Sequence, residues 1–232
     1  MADSFKLKWD QSGEREYELG VSRGVLFPMA NGSYQAAVAW NGLTAVEENP
    51  DGADVNDIWA DNIKYASFQS PENHKGTIKA FMFPDEFYPC NGMVSPEGMS
   101  GLVYGGQKRA AFGLCYRTEI GNDTDENAGY KLHFVYNCKV SPTSRSHNTK
   151  NENPDPEEMS WEYSSTPVPV EGVTGVTQTS TVEVKSTDFT TAQMTALEAY
   201  VYGAAASGNT AAVDGQMPTP GQIKTILAEA AT

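Results

Sequence analysis

The chain of 232 residues is poor in cysteine, in histidine, in positive charge and in long apolar runs. Its three cysteines, Cys90, Cys115 and Cys138, stand at wide, unpatterned intervals. No disulfide framework can organise such a chain, and buried thiols are the expectation. No run approaches the roughly 20 apolar residues that a spanning helix needs. The opening segment, MADSFKLKWDQSGEREYELG, has no apolar stretch of the signal-peptide kind, which predicts no export signal, no membrane binding and synthesis in a cytoplasm. Lys and Arg number 16 against 30 Asp and Glu, a formal charge of −14. An acidic surface repels phosphate, so tight binding to DNA or anionic lipid is disfavoured. Three histidines, His74, His133 and His147, are all that is available for imidazole chemistry.

What the chain does have is aromatic content of 10%, with 21 Gly and 13 Pro. The aromatics argue for an ordered core, and the glycines and prolines for many turns and long loops. The length suits one β-rich domain with appendages. Extended segments are predicted at 36–48, 62–69, 76–83, 108–120, 130–140, 159–170 and 178–186. In 130–140, Leu132, Phe134 and Tyr136 share one face while His133, Val135 and Asn137 share the other, the period of a strand. Gly, Asn and Asp crowd residues 121–129, a hairpin composition.

Helices come last. Thr190 and Gln193 fit a capping box, after which Met194, Leu197 and Val201 line one face and Gly203 closes the helix. A linker rich in small residues (203–215) leads to a second box, Thr219 with Gln222, with Pro220 at the first helical position. Ile223, Ile226 and Leu227 give that helix a stripe meant for docking. The predicted fold is mainly β: an antiparallel β-sandwich or barrel with a flanking α-helix and a short C-terminal helix. Residues 1–203 form the β domain with an N-terminal arm, and 204–232 a flexible linker and a short helical arm. Two readings stay open for that arm: docking on a neighbouring subunit, or on its own domain.

Several motifs resemble chemistry without its context. Gly20-Val21-Ser22-Arg23-Gly24 matches the nucleophile elbow G-x-S-x-G, which needs a strand, a strained turn and a helix. Here Val25-Leu26-Phe27-Pro28 continues as a strand, so Ser22 reads as a chance match. Asp123, Asp125 and Asn127 begin a calcium loop, but Ala128 stands where glycine is required and Phe134 where a bidentate Glu is. Asp51, Asp54 and Asp57 form a solvated acidic loop. The doublets Asp85-Glu86 and Glu157-Glu158 point to opposite sides of an extended chain and cannot face each other across a cleft. His133 and Cys138 lack the spacing of a metal pair, and Gly105-Gly106-Gln107-Lys108 lacks the rest of a phosphate loop. The sequence therefore predicts no catalytic, cofactor-binding or metal-ligating residue, and no enzyme.

A series of blocks runs in order across most of residues 20–202. They are Gly24-Val25-Leu26-Phe27-Pro28, Val38-Ala39-Trp40-Asn41-Gly42-Leu43-Thr44-Ala45-Val46, Trp59-Ala60-Asp61-Asn62-Ile63-Lys64-Tyr65 and Phe83-Pro84-Asp85-Glu86-Phe87. Gly106-Gln107-Lys108-Arg109, Phe112-Gly113-Leu114-Cys115-Tyr116-Arg117-Thr118 and Ile120-Gly121-Asn122-Asp123 follow. Gly129-Tyr130-Lys131-Leu132-His133, Trp161-Glu162 and Thr166-Pro167-Val168-Pro169-Val170 complete the set. As an ordered set it resembles the major tail proteins, or tail tube proteins, of long-tailed bacteriophages of Gram-positive hosts. The loop 141–158 and the tail after Gly203 depart from that pattern.

The resemblance implies a structural virion subunit, six to a ring, with rings stacked into the helical, non-contractile tail tube through which DNA is ejected. It implies a tape measure protein in the lumen, and tail terminator and baseplate or distal tail proteins at the ends. DNA would pass without specific binding, and the family brings no catalytic residues. Loops 49–58 and 141–158 would make ring-to-ring contacts. Two other classes remain: a carbohydrate- or receptor-binding sandwich or decoration module using Tyr88, Tyr104 and Trp161, and a small hydrolase built on Ser22.

Overall fold

The computed structural model describes residues 7–70, 72–99, 101–149, 152, 156–206 and 211–231. Parts of the predicted loop 141–158, residues 207–210 of the linker, and the first six residues of the N-terminal arm lie outside them. Ten strands and two helices carry the architecture. They are β1 (Tyr17–Ala30), β2 (Val38–Trp40), β3 (Leu43–Glu48), β4 (Val55–Ala60), β5 (Ile63–Gln69), β6 (Lys75–Ala80), β7 (Phe112–Gly121), β8 (Gly129–Val140), β9 (Met159–Ser165) and β10 (Thr181–Lys185), followed by α1 (Thr191–Tyr202) and α2 (Pro220–Glu229).

The main sheet is antiparallel and runs β1–β7–β8–β9–β6–β3. β8 serves two partners along its second edge: residues 131–135 pair with β10, and residues 138–140 with β9. The change of partner falls at Asn137, whose φ of 46° and the register shift opposite β7 mark a bulge. That bulge corrects the predicted alternation, because Cys138 and Val140, not Asn137, join Val135 on the inner face. At the far borders, β2 pairs with β1 and β3 with β6. Only Asn41 and Gly42 separate β2 from β3, so the two borders meet and the sheet curls into a flattened barrel. The extended segment predicted at 36–48 is thus broken by a turn, with Gly42 at φ 81°.

Both faces of the sheet are covered. Inside the barrel, Leu26, Ile78, Phe112, Leu114 and Val135 pack with Trp40, Phe87 and Trp161. The rings meet edge to face or tilted; Trp40 lies 4.6 Å from Phe87, and Phe87 5.4 Å from Trp161. On the outer face, Val25, Phe27, Leu132, Phe134 and Tyr136 meet Met194, Leu197 and Val201 of α1 and Ile223 and Leu227 of α2. Gly113 allows that approach: a Cβ there would stand 3.2 Å from the Met217 methyl.

Both capping boxes form as predicted. The Thr190 and Gln193 pair and the Thr219 and Gln222 pair each exchange two hydrogen bonds, with Pro220 opening α2. Gln193 also donates to the Leu227 carbonyl at 2.6 Å, tying the start of α1 to the end of α2. The C-terminal segment therefore folds onto its own domain, the second of the two readings. Residues within the predicted flexible linker are ordered by pairing, Gly203 with Asp214 and Ala204 with Val213, and Gly215 accepts from the Ala37 amide. The physical reason is burial: Met217, Ile223 and Leu227 find their apolar surface on the sheet beneath them.

Candidate assembly surface

The longest departure from the sequence reading lies at 49–60, whereas the extended segment predicted at 62–69 forms as the strand Ile63–Gln69. The predicted polar loop 49–58 is partly strand: Asp51 and Gly52 pair with Asn73 and Glu72, and β4 pairs with β5 along its whole length. The β4–β5 connection is Asp61-Asn62, with φ of 50° and 61°. Two consecutive positive φ values give the turn whose twist matches paired strands, and Asp and Asn tolerate them. Asp57 accepts from Lys64 and Ser67 across the pair, each at 2.8 Å, and Lys64 holds its carboxyl below the ordinary value.

Beyond this mutual pairing, β4 and β5 make at most marginal contact with any other named strand or helix. Their apolar side chains are left in water: Val55, Ile58, Trp59, Ile63, Tyr65 and Phe68 are all exposed, Tyr65 to 72%. An isolated two-stranded hairpin is marginal in water, and a contiguous exposed apolar patch marks an interaction surface. Further exposed apolar residues stand elsewhere: Leu7 and Trp9 before β1, Phe81 and Met82 after β6, and Met99, Leu102 and Tyr104 in the long connection to β7.

The residues of the sequence motifs are placed apart. Ser22 lies within β1, opposite Arg117 of β7 and beside two register shifts; Gly20 and Arg23 have φ of 68° and 49°. It borders a groove of about 430 Å³ lined by Gly24, Val25, Trp40, Leu43 and Tyr202, and no histidine or carboxylate lies among the described lining residues. Asp123 accepts from the Gly13 amide at 2.9 Å and pairs with Arg15 at 2.9 Å. Asn122 accepts from the amides of Thr124 and Asp125. That loop anchors the segment before β1.

Asp51 pairs with Lys75. Glu157 pairs with Ser146 and His147, and Glu158 with Thr44. Trp161 is 1% exposed, which removes it from the aromatics proposed to stack on sugar; it is a core residue because alternation along β9 turns it inward with Tyr163.

The three cysteines are free and buried. Burial pushes the Cys90 thiol up to about 12 and raises those of Cys115 and Cys138 further. His74 lies 3.4 Å from the Tyr163 hydroxyl, His147 is exposed beside Glu157, and His133 is held in a polar cluster with Glu18 and Thr118. Among the described residues no helix is long and apolar enough to cross a membrane. No protein-family model matches the chain, and no curated protein matches it.

Proposed function

We propose that the chain is a structural subunit that assembles with copies of itself into stacked six-membered rings of a bacteriophage tail tube. The observation that carries the reading is the β4–β5 hairpin, which stands off the barrel with six large apolar side chains in water. A neighbouring subunit gives those side chains cover and gives the hairpin the third strand or packed face that it lacks. Contacts between unlike patches of identical subunits close into a ring when the rotation between them does. The exposed apolar groups before β1 and in the connection to β7 supply the separate surfaces that ring closure and ring stacking require.

Charge supports the same reading. A surplus of 14 acidic groups suits a conduit that DNA must traverse without sticking. A tape measure protein in the lumen, and terminator and distal tail proteins at the ends, are the partners that follow. Electron microscopy of the purified protein tests the proposal. Rings or tubes are expected. A uniform 25.1 kDa monomer at high concentration would contradict it, and would return attention to a receptor- or sugar-binding module.

A further inference from the structure

A second feature, independent of assembly, lies on the barrel-side face of the sheet. His133 sits in the middle of β8, with Tyr116 of β7 and Glu183 of β10 directly across from it. Side chains so paired touch. The Tyr116 and His133 rings stack with 4.6 Å between centroids and 2° between planes. Glu48, at the end of β3, accepts from the Tyr116 hydroxyl at 2.7 Å. Glu18, from β1, stands on the other side of the imidazole, 3.2 Å from Nε2.

The hydrogen bonds determine the tautomer of His133. Thr118 donates its hydroxyl proton to Glu18 at 2.6 Å, so its oxygen can only accept from Nε2, 2.8 Å away. Nε2 therefore carries the ring proton, and the neutral ring presents a lone pair at Nδ1. Nδ1 is buried and has no hydrogen-bond partner. It faces Glu183 Oε1 at 3.7 Å, and donor atoms of Glu48, His133 and Glu183 lie within 4.8 Å of one another. A buried lone pair converging with two carboxylates is unfavourable unless a positive charge stands among them. Lys131 supplies it only from the outer side: its ammonium pairs with Glu18 and, at 3.8 Å, with Glu183 Oε2, while Oε1 is the oxygen turned to Nδ1.

The geometry points to a zinc site formed by His133 Nδ1, Glu183 and Glu48, with Glu18 as the carboxylate behind the ring. Zinc takes nitrogen and oxygen donors at about 2.0–2.2 Å in a tetrahedral set, which asks for donor separations of roughly 3.5 Å. Glu48, held by the Tyr116 hydroxyl, and Glu183, paired with Lys131, are both exposed, so a small rotation of their carboxylates would close the set on His133, whose side chain is 8% exposed and stays where the strands hold it. Water fills the fourth position. Glu18, which accepts from Thr118 and Lys131, is held in place beside Nε2. A charged acceptor on Nε2–H fixes ring orientation and strengthens Nδ1 as a donor. Imidazole with carboxylates favours zinc over the all-oxygen ligation of magnesium and calcium. The bound ion would clamp the end of β3 to β8 and β10, with neither of which β3 shares a backbone pairing.

Calorimetric titration of zinc into the chelator-stripped full chain, with magnesium as comparison, tests the site. One zinc per chain is expected, with no comparable magnesium binding and a higher melting temperature with zinc than without. Glu183→Gln and Glu48→Gln, both at exposed positions, should each weaken zinc binding at least tenfold and shrink the zinc-induced melting shift measured on the same variant. His133→Gln should abolish it; the two glutamate variants keep the test decisive if that chain fails to fold. Absence of stoichiometric zinc binding overturns the proposal. So does undiminished binding in both glutamate variants, which would put the ion elsewhere, as at His147 and Glu157.

Discussion

The β7–β8 pair and the β4–β5 pair are both antiparallel and both rich in aromatic and aliphatic residues, yet they place them in opposite surroundings. On β7 and β8, Phe112, Leu114 and Val135 enter the barrel core while Cys115, Leu132 and Phe134 lie under the helices. Both faces are dry. On β4 and β5 neither face is covered, and all six large apolar side chains remain in water. Burying one such side chain is worth about 1.5–3 kcal/mol, so the hairpin withholds on the order of 10 kcal/mol that association could recover before its own costs. Strand pairing alone does not account for where a chain puts its apolar residues. The first pair holds the chain together, and the second leaves its apolar side chains open to a partner.

That comparison can be broken most forcefully from the covered side. Leu197 is fully buried between α1 and the sheet, and Leu197→Ala should cost about 2–5 kcal/mol, read as a lower denaturation midpoint. A midpoint equal to wild type would mean that the helical layer does not cover the sheet. Thr219→Ala removes one half of the α2 capping box and should cost about 0.5–2 kcal/mol. If α2 were detached from the domain, that loss would not appear in the global transition. Thiol chemistry sharpens the same contrast, since burial raises all three thiols well above their ordinary value. At mildly alkaline pH the native chain should leave Cys90, Cys115 and Cys138 unreacted with a disulfide reagent, and all three should react in denaturant. Fast labelling of the native state would show an open core.

A smaller effect concerns acid. Glu18 has a depressed folded pKa, so its contribution is present above the ordinary glutamate value and is lost as pH falls through the lower folded one. Glu18→Gln should therefore flatten the stability profile in that acidic window and leave the alkaline limb unchanged, as measured by melting across pH. An unaltered acid limb would contradict the Glu18–Lys131 pairing.

Local patterns were the legible part of the fold. The alternation of Leu132, Phe134 and Tyr136 is set by backbone geometry, and the Thr190 and Thr219 boxes are contained within four residues each, so one sequence suffices to read them. The hairpin was half hidden because Val55–Ala60 mixes Asn, Asp, Ile and Trp without alternation: a strand covered on neither face leaves no inside–outside pattern to detect. The bulge at Asn137 was invisible for a related reason, since it records a change of partner strand rather than a local preference. The zinc cluster could not be read at all. His133, Glu48 and Glu183 are brought together by β3, β8 and β10, and no spacing along the chain encodes that meeting.

Smallest of all should be the effect of the hairpin on the stability of the isolated subunit. Trp59→Ser with Tyr65→Ser changes two side chains that are 66% and 72% exposed, and each should shift stability by no more than about 0.5 kcal/mol. The decisive measurement sets that double variant beside wild type in sedimentation velocity across a range of concentrations. Large assemblies are expected for wild type, and for the variant a monomer that melts as the dissociated wild-type subunit does. Assemblies of equal size and concentration dependence in both proteins, or a wild type that stays monomeric throughout, would contradict that expectation.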